Sequence, residues 1–262
     1  MSQRGSGERL EVIYGIHAVR EAVESRSIDY VMVAEGQHNP RLQGLIDACR
    51  ASGIALRFSP RPALDRAAGT PQHQNVVAVC AAKTYDDLSA TVTAASPPLV
   101  VALDGVEDPA NLGAIIRTVV AAGAGGVVIP ERRAAGLSPA VARSAAGALE
   151  HTKVARVPNL VRALMDLKEQ GVWVYGFEAA ASKSYTELDY SAGCALVLGG
   201  EGRGLHRLVR EACDQLAHIP LRGPISSLNV SVAAGVVLYE VVRQRSLRLD
   251  KPVVPDHSQR SG

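Results

Sequence analysis

The 262-residue sequence has few aromatic residues and no long apolar segment. Aromatic residues make up only 4% of the chain, which argues against a protein that binds single-stranded nucleic acid by stacking bases on aromatic rings. No stretch approaches the roughly 20 apolar residues that a membrane helix needs. The polar start MSQRGSGERL lacks the apolar centre of a secretory signal. These absences predict a globular protein of the cytoplasm that has no membrane partner.

The four cysteines lie far apart and form no Cys-x-x-Cys pair. They are Cys49, Cys80, Cys194 and Cys213. They lie in apolar or helical segments, which suit reduced, buried thiols better than zinc ligands or disulfides. We therefore expect reduced, buried thiols and no bound metal.

The formal net charge is only +2, so overall charge does not by itself indicate a nucleic-acid-binding protein. Most basic residues are arginines, whose planar guanidinium fits phosphate oxygens better than a lysine ammonium does. A genome that favours arginine codons explains the same composition. The charge pattern leaves RNA binding open.

The order of apolar runs and polar breaks divides the chain into two α/β units. Residues 10–82 predict a small unit of strands and helices, and residues 83–98 are polar, proline-terminated and typical of a linker. Residues 99–248 repeat a strand followed by a helix. The first strand is LVVALDG, and the helix after it has Asp108 as its N-cap and Pro109 as its first residue. Residues 249–262 are mostly polar and are predicted to be disordered.

The regular alternation in the second unit predicts a mostly parallel sheet covered by helices on both faces. Ligands in such sheets bind at the carboxyl ends of the strands, so the loops there are the candidate functional regions.

The first candidate region is NLGAIIRTVV, in which Arg117 lies among apolar residues of a predicted helix. A guanidinium buried in such a helix stays charged and needs a carboxylate, carbonyl or phosphate partner. An internal salt bridge would satisfy it as well as a ligand would.

The second region, LVLGGEGRGL, is a strand followed by a glycine-rich turn with Glu201 in its middle. Glycines allow backbone N–H groups to approach a ligand, although a bare tight turn has the same sequence. The turn lacks the lysine of a phosphate loop and the spacing of a dinucleotide fingerprint.

The third region, ISSLNVSVAAG, places a polar cluster at the start of an apolar helix. Ser226 and Ser227 are residues that commonly cap a helix. Capping does not explain Asn229 and Ser231, which lie just inside an apolar segment.

Taken together, the three regions resemble the SpoU family of RNA 2'-O-methyltransferases, members of the knotted SPOUT class. The family motifs are present as Asn-x-Gly-Ala-x-x-Arg at 111–117, Gly-x-Glu-Gly-x-Gly at 199–204 and Ser-Leu-Asn-Val-Ser at 227–231. The segments YGIHAVREAV, HQNVVA and LSPAVARSAAGALEH also resemble the branch that methylates a guanosine ribose in 23S ribosomal RNA. Asn75 departs from that branch, which has glycine there.

The resemblance implies a carboxyl-terminal SPOUT domain with a parallel sheet and a deep trefoil knot, preceded by an RNA substrate-binding domain. It implies S-adenosylmethionine as cofactor, bound by Gly199, Ile219 and Leu228. It also implies a homodimer whose interface includes the apolar helix after Asn229.

The implied reaction is attack of a ribose 2'-hydroxyl on the sulfonium methyl group. The residues assigned to catalysis are Arg117, Asn111, Glu201, Ser227 and Asn229. Family proposals make Arg117 the base, but a guanidinium with a pKa above roughly 12 more easily stabilises an alkoxide and holds a phosphate. Glu201 is the expected ionic partner of Arg117.

Six arginines are candidates for RNA contact, although each one taken alone could equally be an ordinary solvated surface charge. They are Arg57, Arg61, Arg66, Arg132, Arg133 and Arg143.

The substrate alternatives are transfer RNA and a ribosomal site linked to antibiotic resistance. A non-catalytic ribosome-assembly factor and a dinucleotide-dependent oxidoreductase are alternatives of other classes. The missing fingerprint disfavours the oxidoreductase.

Overall fold

The protein is described by a computed structural model over residues 10–25, 28–36, 39–81, 83–200 and 204–249. The amino-terminal unit contains four strands and three helices. They are β1 (Leu10–Tyr14), α1 (Ile16–Ser25), β2 (Ile28–Ala34), α2 (Pro40–Ala51), β3 (Leu56–Ser59), α3 (Arg61–Ala68) and β4 (Val76–Ala81). The strand order is β1-β4-β2-β3, with β4 antiparallel to both of its neighbours and β3 parallel to β2.

The four strands and two of these helices match the sequence prediction, whereas α3 was not expected. Leu64 is the buried residue of this eight-residue helix, and the other apolar residues on the same face are small alanines, so the apolar face is weak. The elements that the sequence predicts are those in which the spacing of apolar residues marks a clear buried face.

Residues 83–98, predicted as a linker, contain the short helix α4 (Leu88–Thr93). Val92 is buried there and joins the apolar cluster on one face of the large sheet. Thr91 is also buried, and Asp86 forms an isolated bridge with Ala155. The segment therefore packs against the second unit, and its use as a domain boundary stays a prediction.

The second unit is built on a seven-stranded sheet in which each described pair of neighbours is parallel. Its strands are β5 (Leu99–Asp104), β6 (Gly126–Pro130), β7 (Lys153–Val157), β8 (Trp173–Phe177), β9 (Lys183–Ser184), β10 (Cys194–Gly199) and β11 (Gln215–His218). Its helices are α5 (Pro109–Ala121), α6 (Pro139–Ala145), α7 (Leu160–Glu169), α8 (Arg207–Ala212) and α9 (Val230–Leu249). The strand order is β7-β6-β5-β10-β8-β11-β9.

Both faces of this sheet are covered, as the alternation predicts. Side chains alternate between the two faces along β5, so Val101 and Leu103 share one face and pack with residues of α5, α6 and α9. Val100 and Ala102 lie on the other face and pack with residues of α4, α7 and α8. The predicted parallel sheet with two covered faces is confirmed.

Helix α5 begins as the sequence predicts. Asp108 caps it, accepting a hydrogen bond from the Ala110 N–H at 3.0 Å, and Pro109 occupies the first turn. Helix α6 is shorter than the sequence predicts, because Ala146 has φ 50° and the chain continues as a 3-10 turn over Ala148–His151.

Helix α9 buries one face and exposes the other. Ala234, Val237 and Val241 lie in the core, whereas Val232 and Tyr239 are each 52% exposed. Of residues 249–262, predicted to be disordered, Leu249 is the last residue of α9, and residues 250–262 lie outside the described residues. No described helix is long and apolar enough to cross a membrane.

The four cysteines are free thiols. Cys49, Cys80 and Cys194 are buried and Cys213 is half-buried. The prediction of buried thiols is confirmed for the first three cysteines and is wrong for Cys213.

Candidate functional site

A cavity of about 580 Å³ lies at the carboxyl ends of β8, β10 and β11 and against the start of α9; we call it the β10 cavity. Its lining includes the three predicted cofactor residues and two of the predicted catalytic residues, which are Gly199, Ile219, Leu228, Ser227 and Asn229. These residues come from β10, the segment after β11 and the polar stretch before α9, so the fold brings separate motifs to one place.

A second cavity, of about 560 Å³, lies at the carboxyl end of β5; we call it the β5 cavity. It contains Asn111, and Arg133 reaches it from the loop after β6. Gly200, Gly204 and Val230 line both cavities, so the two adjoin. The two cavities are therefore separated by a shared wall.

The described residues of the glycine-rich segment, Gly199, Gly200 and Gly204, approach other backbone atoms closely. A Cβ atom on Gly200 would lie 2.0 Å from the Gly105 carbonyl oxygen, and one on Gly199 would lie 2.2 Å from the Gly204 carbonyl carbon. The Gly200 N–H also donates to the Asp104 carbonyl at 2.7 Å. Any larger residue at Gly199 or Gly200 would clash with these backbone atoms and distort the wall that the two cavities share.

The polar cluster before α9 makes contacts within the site. The Asn229 side-chain amide donates to Asn111 Oδ1 at 3.0 Å, linking the first and third motifs. Asn229 Oδ1 accepts from the Ser231 N–H at 2.9 Å and from its hydroxyl at 2.6 Å. Ser226 and Ser227 are exposed and line the β10 cavity. The cluster both starts the helix and forms a wall of the site.

Arg117 lies elsewhere in the described chain. It is exposed on α5, and it is not among the described residues that line either cavity. Six residues separate it from Asn111, or about 9 Å along the helix axis. The expectation of a buried guanidinium is therefore wrong for the single chain, because α5 turns that side chain away from the core. Glu201, its expected partner, lies outside the described residues.

The structure also places in the β5 cavity a pair that the sequence reasoning missed. Asp104, at the end of β5, is 6% exposed and accepts hydrogen bonds from His206, which lies just after the glycine-rich turn. The signals were present as an acidic residue ending an apolar strand and a histidine following the turn. Nothing local indicated that they meet, since 102 residues separate them.

The predicted RNA-contacting arginines are all exposed, and two of them contact consecutive residues, Pro71 and Gln72. Arg61 donates to the Pro71 carbonyl at 3.3 Å, and Arg143 donates to Gln72 Oε1 at 2.9 Å. Arg143 belongs to α6, so this contact crosses from one unit to the other.

The remaining arginines occupy separate places. Arg57 lies over the Tyr30 ring, with its guanidinium carbon 3.5 Å from the ring centroid. Arg66 is on α3, Arg132 is in the loop after β6, and Arg133 lines the β5 cavity.

The β10 cavity fits a cofactor of the size and polarity of S-adenosylmethionine. Its volume lies within the roughly 300–1,000 Å³ of small-molecule sites. Phe177, Ile219 and Leu221 offer apolar contacts for an adenine ring, while Ser226 and Ser227 offer polar groups. Such a mixture of walls suits a ligand with an apolar base and charged ends.

Comparison with known proteins agrees with these features. A sequence profile of the SpoU rRNA Methylase family matches residues 98–239, and one for RNA 2'-O ribose methyltransferase substrate binding matches residues 12–86. The chain is 45% identical to the 23S rRNA (guanosine-2'-O-)-methyltransferase RlmB of Xanthomonas campestris pv. campestris. That match covers 89% of this chain and 96% of the relative.

Solved structures show the same relationship. The SpoU methyltransferase AviRb from Streptomyces viridochromogenes, crystallised with AdoMet, superposes with a TM-score of 0.78 and 26% identity over 91% of both chains. The TrmH/SpoU tRNA modifying enzyme of A. aeolicus gives a TM-score of 0.54 and 28% identity over 64% of this chain and 87% of that enzyme. Since the family profile spans more than half of the sequence, this chain belongs to the SpoU rRNA methylase family.

Proposed function

We propose that this protein transfers a methyl group from S-adenosylmethionine to the ribose 2'-hydroxyl of a guanosine in 23S ribosomal RNA. The observation that carries the proposal is the pair of adjoining cavities, which share Gly200, Gly204 and Val230. The β10 cavity contains the positions that match the family's cofactor residues, and the β5 cavity contains Asn111. The two reactants would then meet at the shared wall.

The relatives favour ribosomal RNA over transfer RNA. The RlmB relative matches this chain through both units, whereas the solved tRNA modifying enzyme matches 64% of it. The amino-terminal unit also matches a substrate-binding profile. The match to an rRNA methyltransferase through both units thus supports an rRNA substrate.

Bound S-adenosylmethionine would supply an electrophilic methyl carbon, so the protein has to orient the ribose and lower the energy of the developing alkoxide. Asn111 and Asn229 are hydrogen-bonded to each other and would orient the ribose, with Ser227 beside them. Glu201 is proposed to orient Arg117. Arg117, exposed on α5, would hold an RNA phosphate.

The test is transfer of labelled methyl to unmodified 23S RNA, with the product identified by mass spectrometry. We expect 2'-O-methylguanosine from the wild-type protein. Arg117→Ala should lose transfer and keep its affinity for S-adenosylmethionine, measured by calorimetry. Arg162→Ala removes an exposed arginine from α7, away from both cavities, and should leave transfer unchanged.

Other outcomes select the alternatives. Transfer to tRNA and not to 23S RNA would contradict the substrate proposal. Absence of both transfer and cofactor binding would favour the non-catalytic assembly factor. Full activity of Arg117→Ala would reject the role of that residue.

We propose that the six exposed arginines neutralise RNA phosphates. The contact between Arg143 and Gln72, next to Arg61 on Pro71, supports a basic surface across the two units. Affinity for RNA should then fall steeply as salt rises, since each neutralised phosphate releases counterions.

We also propose a homodimer formed through the exposed face of α9, where Val232 and Tyr239 are apolar and half exposed. Light scattering on the wild type and on Val232→Glu would test this interface, since a charge there should shift the dimer toward monomer. The trefoil knot, the absence of metal and the cytoplasmic location stay predictions from the sequence.

A further inference from the structure

A histidine–carboxylate pair lies in the β5 cavity. Asp104 Oδ2 accepts from the His206 backbone N–H at 2.7 Å, and Asp104 Oδ1 lies 3.0 Å from His206 Nδ1. The Asp104 side chain is 9% exposed and the His206 side chain 39% exposed. The carboxylate is thus held inside, and the imidazole reaches from it into the cavity.

The two contacts to Asp104 decide which ring nitrogen is available. A carboxylate accepts hydrogen bonds, so Nδ1 carries the proton and Nε2 of the neutral ring has a free lone pair. Within the described part of the chain, Nε2 makes no hydrogen bond. The ring carbon between the nitrogens, Cε1, lies 3.6 Å from the position of a Cβ on Gly105, so the ring packs beside that residue of the cavity wall.

The pair is next to the place where the reactants would meet. Gly200 and Gly204, which line both cavities, line the β5 cavity together with the pair, and so does Asn111. Other charged groups line the same cavity or lie on the helix that follows His206. Glu107, Asp108 and Arg133 line the cavity. On α8, Arg207 pairs with Glu211 of the same helix, and Arg210 pairs with Glu178, which follows β8.

Resting on the proposed function, we propose that His206 is a catalytic residue that accepts the proton of the ribose 2'-hydroxyl through Nε2, with Asp104 as its positioning residue. The hydroxyl oxygen forms a bond to the methyl carbon as the carbon–sulfur bond breaks, and that bond's electron pair goes to sulfur. The hydroxyl proton passes to Nε2 and then to water. A neutral imidazole can accept a proton near neutral pH, whereas a guanidinium already carries one. Arg117 is thereby free to hold phosphate.

The experiment measures single-turnover methyl transfer against pH for the wild type and for His206→Gln. Wild-type activity on 23S RNA is scored first, so failure of the proposed function is separated from failure of this role. The wild-type rate should rise with pH to a plateau. His206→Gln should lose roughly 100- to 10,000-fold in rate, as expected for removal of a general base. The transfer rate of this variant should also no longer level off as pH rises, while its affinities for cofactor and RNA stay unchanged.

The matched control is His151→Gln. His151 also pairs with a carboxylate, Glu21 Oε2 at 2.6 Å, but it lies in the 3-10 turn after α6, outside both cavities. This variant should keep the wild-type rate and pH profile.

Three results would overturn the proposal. One is a His206→Gln rate within threefold of wild type. The second is a wild-type rate that falls as pH rises, because such a profile would mean that the active form of His206 is the protonated imidazole, for example one that holds a phosphate. The third is a rise in the KM for RNA with an unchanged maximal rate, which would make His206 a binding residue. Since the wild-type profile needs no variant, it tests the proposal even if His206→Gln folds poorly.

Discussion

At the scale of single residues, Asn229 shows why a polar group stands at the head of an apolar helix. Its amide reaches Asn111, 118 residues earlier in the chain, while its oxygen accepts bonds from Ser231 at the start of α9. One side chain therefore starts the helix and joins two walls of the site.

We predict that Asn229→Ala costs about 1 kcal/mol of stability, as loss of a helix cap does, and also lowers the methyl-transfer rate. Asn159→Ala is the matched control. Asn159 Oδ1 caps α7 by accepting from the Arg162 N–H at 3.1 Å, outside both cavities. Thermal unfolding and single-turnover rates on both variants separate the two effects. Equal rates in the two variants would show that Asn229 only caps its helix.

The motif glycine Gly113 also has a packing role. A Cβ atom there would lie 2.4 Å from Ser144 Cβ and 2.8 Å from the Val141 carbonyl oxygen. Helix α6 rests directly on α5 at this residue, and Asn111 lies just before it on the same helix. The motif therefore sets both the position of the helix and the polar group it presents.

At the scale of elements, Arg245 ties α9 to the start of the large sheet. Its guanidinium donates to the carbonyls of Tyr190, Pro97, Pro98 and Ala192 at 2.9–3.0 Å. These carbonyls flank the starts of β5 and β10, the two central strands. The carboxyl-terminal part of α9 is thereby fixed at the amino ends of these strands, whereas the site lies at their carboxyl ends.

We predict that Arg245→Met lowers the free energy of unfolding by about 2–3 kcal/mol, because it removes the charge-assisted hydrogen bonds to these carbonyls. Arg248→Met is the control, since its ion pair with Asp189 is 59% and 65% exposed and such surface pairs contribute about 0–1 kcal/mol. Urea denaturation of both variants measures the difference. Equal midpoints would contradict the role assigned to Arg245.

At the scale of the whole molecule, the core of the large sheet contains ionisable groups that must stay neutral. Burial raises the pKa of Cys194 from 9.0 to about 12, although Arg245 opposes the rise. Burial also raises the pKa of Tyr175 from 10.0 to about 12. Each group holds its proton more tightly in the folded chain than in the unfolded one.

This predicts loss of stability in alkali. The contribution of these groups is fully present below pH 9 and is lost as pH rises toward 12, because the unfolded chain then releases protons that the folded chain retains. Melting temperatures from pH 7 to pH 11 should be level at first and then fall. Cys194→Ala should melt lower at pH 7 because it leaves a cavity, and fall less steeply above pH 9. A level profile up to pH 11 would contradict the prediction.

The sequence by itself determined the alternation of strands and helices, the sheet with two covered faces and the three motifs, because apolar period and capping residues are local signals. It did not determine α3 or α4, whose few buried residues leave little pattern. Only the tertiary structure decided that Asn111 meets Asn229, that Asp104 meets His206 and that Arg117 is exposed. The contact of Asp104 with His206 depends on strand order, which places the ends of β5 and β10 side by side although β10 begins ninety residues after β5 ends.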